Sequence, residues 1–287
     1  MEYLLDPFLN NAFMQRALLA GVLVSIACAV VGTFVVLRGL AFIGDALAHG
    51  VLPGIAGAIL LGLPGMFGAA VGAIVMIGGV SLVTRRSRLS SDTAIGLLFV
   101  AMLALGVVMI SASDAFQGDL VAILFGQILG TSWEQVLVMA VATALVMAAS
   151  VAAARPFLLL SFDPEQADVA GFPSRRYHVL MLLLVALTVV VAFQTVGTLL
   201  VFGMLLAPAA AGALLAHRIA SMMVIAGVIG SASTYAGLLI SYWFDLAAGA
   251  TIVLVAVSAF FAVFALINIR EAGRHVGTVD TSGETVS

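Results

Sequence analysis

The chain has 287 residues, 63% hydrophobic and 9% charged, with a mean hydropathy of +1.26 and a formal charge of −3. Soluble domains are about 45–50% apolar and about 25% charged, so an ordinary soluble enzyme is excluded, and the small negative charge points to no nucleic-acid partner. All 11 basic residues are arginine, so there is no lysine for a GxxxxGK[ST] phosphate loop. The single cysteine, Cys28, excludes an internal disulfide and a thiolate zinc cluster.

The N-terminal MEYLLDPFLNNAF has neither a basic patch nor a small-residue cleavage site, so no cleavable signal peptide is expected. From there, apolar runs recur at about the 20 residues that a helix needs to cross a bilayer. They predict an all-α polytopic membrane protein with nine spans, near 15–37, 41–62, 65–84, 93–111, 134–154, 178–194, 197–216, 221–242 and 247–268, with eight as the alternative count. The apolar stretch at 120–130 is too short to cross and reads as a re-entrant or interfacial helix. Residues 1–269 form one membrane domain, and 270–287 read as a polar, disordered cytoplasmic tail.

With nine spans, Arg38, Arg85, Arg86, Arg88, Arg155, Arg175, Arg176, Arg218, Arg270 and Arg274 fall on one face, leaving Arg16 opposite. Cytoplasmic loops retain basic residues, so that face is inside, the C-terminus is inside and the N-terminus outside. Asp6, Asp114, Asp119 and Asp245 then lie outside.

Asp45 and His49, four residues apart in the second span, share one helix face. A charged group inside the membrane costs at least a few kcal/mol unless paired or hydrated, which makes such a pair a functional site by default. Pro53 continues the line and has no N–H to offer the His49 carbonyl. Carboxylate, imidazole and carbonyl suit manganese or zinc better than copper(I). Two or three ligands do not saturate an ion, and a symmetric homodimer would double them. A protonated imidazole repels a cation, so uptake through this pair is expected to fall in acid. Gly50 and Gly54 permit close helix approach. Pro208 withholds a donor from the Met204 carbonyl, and the two read either as gate or pathway residues on a moving helix or as a static kink packed by the small residues that follow. Ser90, Ser91 and Asp92 read as caps for the fourth span, and His178 and His217 as snorkelling residues at span ends.

The inner loop at 155–176 holds Asp163 followed by Pro164, an N-cap with proline at the first helical position. A short helix ending near Gly171 is predicted, with Glu165 and Asp168 facing Arg175 and Arg176, a polar knob suited to docking.

The segments FMQRALLAG (13–21), VLRGLAFIGDALAHGVLPGIA (36–56), SSDTAIGLLF (90–99), ILFGQILG (123–130), FDPEQADVAG (162–171), QTVGTLLVFGMLLAPAAAGALL (194–215) and GLLISYWFDLAAGATIVL (237–254) together resemble the metal-ion permeases of ABC importers for manganese, zinc and iron(II). The resemblance implies a cobalamin-importer-like (type II) permease in the bacterial cell membrane. It implies a homodimer bound to two cytoplasmic ABC ATPase subunits, which hold the ATP, and an extracytoplasmic metal-binding protein. It places Asp45 and His49 on the pathway, and the ATPase-coupling helix on Asp163, Pro164, Glu165, Ala167 and Gly171. The expectation is a transport subunit, not an enzyme and without a covalent cofactor. Its cargo is Mn2+ or Zn2+, manganese favoured. The alternative is a proton-coupled secondary metal transporter, with Asp45 and His49 as a proton relay. An intramembrane aspartyl protease would need a second buried aspartate, which the spans do not supply.

Overall fold

The computed structural model describes residues 2–112 and 128–279. Most of the 120–130 segment lies outside them, as do Asp114, Asp119 and residues 280–287, and only a short 3-10 turn at Ile128–Gly130 is seen there.

Every regular element among the described residues is helical. A short α1 (Glu2–Asn10) precedes α2 (Ala12–Leu37); α3 (Phe42–Gly50) and α4 (Leu52–Leu60) share the second span; α5 (Gly65–Arg86) and α6 (Ser91–Ser111) follow. Then come α7 (Trp133–Ala152), α8 (Ala154–Phe162), α9 (Pro164–Val169), α10 (Ser174–Leu215), α11 (Ile219–Phe244) and α12 (Ala248–Val279). Among the described residues, eight helices are long and apolar enough to cross a membrane, and Leu199–Leu215 is a shorter apolar helix.

That shorter helix is the second half of α10. Arg38, at one end of α2, bonds His178 and touches Met181, while Cys28 on the same helix reaches the Val201 carbonyl. Along α2, Cys28 and Arg38 are about 15 Å apart, whereas a straight α10 would separate His178 from Val201 by roughly 34 Å. The chain therefore folds back. It does so at Gly197, whose φ of 80° and ψ of 166° are non-helical and accessible to a residue without a Cβ. The returning half runs parallel to α2, with Gly32 against Leu205 and Ala209. The expected ninth pass is this half, about 25 Å long.

The core sits where α2 and α10 pack together, with α11 against both and α12 against α10 and α11. Met14, Phe34, Leu200, Met204 and Leu205 are fully buried there. Burial of apolar side chains gives no hydrophobic gain in lipid, so tight van der Waals packing between small residues has to hold the helices. The α4–α5 contact shows this: a Cβ on Gly54 would overlap the Gly68 carbonyl, and one on Gly68 would overlap the Gly54 carbonyl.

Two expectations are revised. The loop at 155–176 carries two helices, α8 as well as α9, because apolar Phe157 and Leu160 bury themselves against the bundle. The helical backbone of α12 continues to Val279, so residues 270–279, read from polarity as tail, prolong the last helix.

Candidate metal site and coupling loop

Asp45 and His49 lie on α3, one turn apart, with His49 Nε2 3.4 Å from Asp45 Oδ1. That separation is long for a hydrogen bond. It is close to the separation of two ligand atoms on one divalent ion, roughly 3.4 Å on a tetrahedral and roughly 3.1 Å on an octahedral ion with bonds of about 2.1–2.2 Å. The side chains keep 31% (Asp45) and 18% (His49) of their surface, so the pair opens to a face that this chain leaves uncovered. His49 Nδ1 is buried without a hydrogen-bond partner among the described residues, and no third His, Cys, Asp or Glu joins the pair there.

The surroundings hold the imidazole by shape. Phe99 of α6 meets it edge to face, ring centroids 5.6 Å apart, a contact that spacing within the second span did not reveal, although Phe99 closes the SSDTAIGLLF motif. Phe202 and Leu205 of the returning half of α10 pack where a Cβ on Gly44 would be. The helix is interrupted at Val51, between α3 and α4, two residues before Pro53. Pro53 packs near Gly106 of α6.

Met204 and Pro208 are brought elsewhere. Met204 is buried and points towards Gly230 and Ser25, between α2 and α11, and Pro208 lies inside α10 on the same buried half. Leu205 and Phe202 of α10 approach α3 at Gly44.

The loop at 163–172 satisfies its own polar groups. Asp163 Oδ1 accepts from the Glu165 and Gln166 amides, capping α9 behind Pro164. Gly171, at φ 83°, ends it, while the Phe172 amide donates to the Ala167 carbonyl. Ala167 is buried and Glu165 exposed. Asp168 is held by the Ser174 amide and hydroxyl rather than by Arg175 or Arg176. Those two hydrogen bonds, the backbone one foremost, keep its carboxyl below the usual carboxylate range. Phe172 packs on Tyr177, Tyr177 on Phe157 and Phe157 on Phe34 of α2, a chain of rings from the loop into the bundle.

Ser90 caps α6 by accepting from the Thr93 amide, as its position suggested. His178 is not a free interfacial side chain: it is half-buried, with Nδ1 2.7 Å from Arg38 Nη1.

A helical bundle with an ionisable pair inside one span and a preformed knob between two others defines a multi-pass membrane permease. The model of the ABC 3 transport family matches residues 10–267. The manganese transport system membrane protein MntC of Halalkalibacterium halodurans is 39% identical over 264 residues, covering 92% of this chain and 90% of that one. A probable iron transport system membrane protein of Haemophilus influenzae is also 39% identical, over 94% of this chain and 98% of its own. Among solved structures, PsaBC from Streptococcus pneumoniae in complex with Fab aligns with a TM-score of 0.81 at 36% identity, over 91% and 94% of the two chains. The chain belongs to the ABC 3 transport family, the metal-ion importer permeases whose motifs it carries. It is a multi-pass protein of the bacterial cell membrane and a transport subunit, with ATP hydrolysis residing on a separate subunit.

Proposed function

We propose that the chain carries manganese(II), in preference to zinc(II), into the cell, and that Asp45 and His49 ligate the ion on its way. The observation that carries this reading is the pair's geometry: one carboxylate and one imidazole on a single helix turn, 3.4 Å apart, inside a span and open on one side. Relatives named for manganese and for iron support a divalent transition metal, and oxygen and nitrogen ligands fit that class.

The ligand set within one chain is incomplete. A second copy related by a twofold axis would supply another carboxylate and imidazole and would cover the exposed side of the pair. Four such groups bind an ion firmly enough to select it, yet transport also requires release, so the ligands have to separate during the cycle.

Release is driven from the loop at 163–172. Two ATPase subunits dock there, one per permease copy, on the surface formed by Asp163, Pro164, Glu165, Ala167 and Gly171. Closure of the ATPases shifts α9, and the Phe172–Tyr177–Phe157–Phe34 rings pass that shift to α2. Pro53 and Pro208, each withholding a helical donor, mark where α4 and the second half of α10 bend as gates. An extracytoplasmic metal-binding protein delivers the ion to the outer face.

The test is metal uptake in cells expressing the chain with its ATPase and binding protein, manganese and zinc offered separately. Asp45→Asn and His49→Ala should abolish uptake while reaching the membrane and retaining the ATPase. Unchanged uptake in both would reduce the pair to helix packing, and faster zinc uptake by the wild type would overturn the metal preference.

A further inference from the structure

On the side of α2 away from the metal pair, α2, α7, α8 and α11 enclose an open groove of about 880 Å³. The two places are separate, since α3 packs on α5, α6 and α10 while α7 and α11 pack on α2. Ile26, Val30, Met147, Val151, Met223 and Val228 supply much of its wall, and its polar lining residues are Ser150, Arg155 and Ser231.

Three features say what fills it. From Ile219 to Ser231 the groove follows α11 for about 18 Å, close to one leaflet of a hydrocarbon core about 30 Å thick. Arg155 stands at its inner end, on the face where the arginines gather, exposed and without an ion pair among the described residues. Between Arg155 and Ser231 the wall is almost wholly apolar, which suits a hydrocarbon chain.

We propose that this groove binds an anionic diacyl phospholipid of the cytoplasmic leaflet, its phosphate paired with Arg155 and one acyl chain lying along α11. A single arginine near an anionic headgroup is worth about 1 kcal/mol, or roughly fivefold in preference. The bound chain rests against Phe34 and Leu158, which also line the groove, and so supports the ring contacts that lead to the 163–172 loop.

Native mass spectrometry of the delipidated permease–ATPase complex, titrated with phosphatidylglycerol or phosphatidylcholine, reads this directly. The wild type should retain phosphatidylglycerol about fivefold better. Arg155→Gln should lose the preference yet still bind both lipids, and Arg16→Gln, on the opposite face, should keep it. Gly227→Leu, which fills the groove, should weaken both lipids; Val228→Trp, at an exposed wall position, makes the same test if that variant does not fold. Equal retention of the two lipids by the wild type, undiminished binding in both groove-filled variants, or a Val228→Cys cross-link to a second polypeptide in place of lipid would each overturn the proposal.

Discussion

The Asp45–His49 pair and the 163–172 loop are both polar islands in an apolar chain, and they are built in opposite ways. In the loop the groups that shape the turn find partners within a few residues: Asp163 with the α9 amides, Asp168 with Ser174, Phe172 with the Ala167 carbonyl. In α3, Asp45 and His49 have only each other, at 3.4 Å, and His49 Nδ1 has no partner among the described residues. A surface that must push on another subunit benefits from rigidity before contact, since ordering it afterwards would consume binding energy. A site that must accept an ion and let it go has to keep ligand capacity unspent.

The sharpest way to break this contrast is to remove the open site. Asp45→Asn or His49→Ala should cut metal uptake by a hundredfold or more, since even groups that only support metal ligands are worth about 10–100-fold, with little change in thermal stability. A large stability loss with retained uptake would show that the pair is packing. Phe99→Ala removes the edge contact to His49 along with some core packing, and uptake should fall about tenfold with the metal preference kept.

Next in size is a packing change that spares both islands. Gly54→Ala drives a Cβ into the Gly68 carbonyl and should cost about 1–3 kcal/mol, read as a lowered Tm in detergent; an unchanged Tm would mean that α4 and α5 separate easily. In the loop, Asp163→Ala should cost about 1 kcal/mol of local stability by loss of the cap. Faster hydrogen exchange at the Glu165 and Gln166 amides checks it, and ATPase stimulation should weaken in parallel.

The smallest effect concerns pH. Because the Asp168 carboxyl is held below its ordinary value by Ser174, its contribution is fully present above the unfolded value of about 3.9 and is lost as pH falls through the lower folded value. Loop protection should therefore be flat from pH 5 to 8, and Asp168→Asn should lower it equally across that range. A wild-type loop that loosens at pH 6 would contradict the Ser174 contacts.

Some of this architecture was plain in one dimension. Span positions followed from apolar run length, since a bilayer imposes a fixed helix length, and the Asp45–His49 pair stood out because ionisable residues are rare within spans. The α9 helix followed from Asp163 and Pro164 because caps act within three residues. Phe99 did not, because a ring edge against an imidazole from another span leaves no periodic trace. Nor did the Arg38–His178 bond or the direction in which Met204 points, which depend on how distant helices rotate against one another.

The sequence by itself determined that this chain lives in a membrane, which stretches are long and apolar enough to cross it, and where an ionisable pair lies within a span. These are local properties, set by hydropathy, helix period and capping. Only the tertiary structure decided that α10 turns back at Gly197, that Met204 reaches Gly230 of α11, that rings connect the loop to α2, and that a groove opens beside Arg155. Each of those depends on which side chains meet across helices far apart in the chain, and in lipid that choice rests on close packing between particular surfaces rather than on burial, so no run of neighbouring residues encodes it.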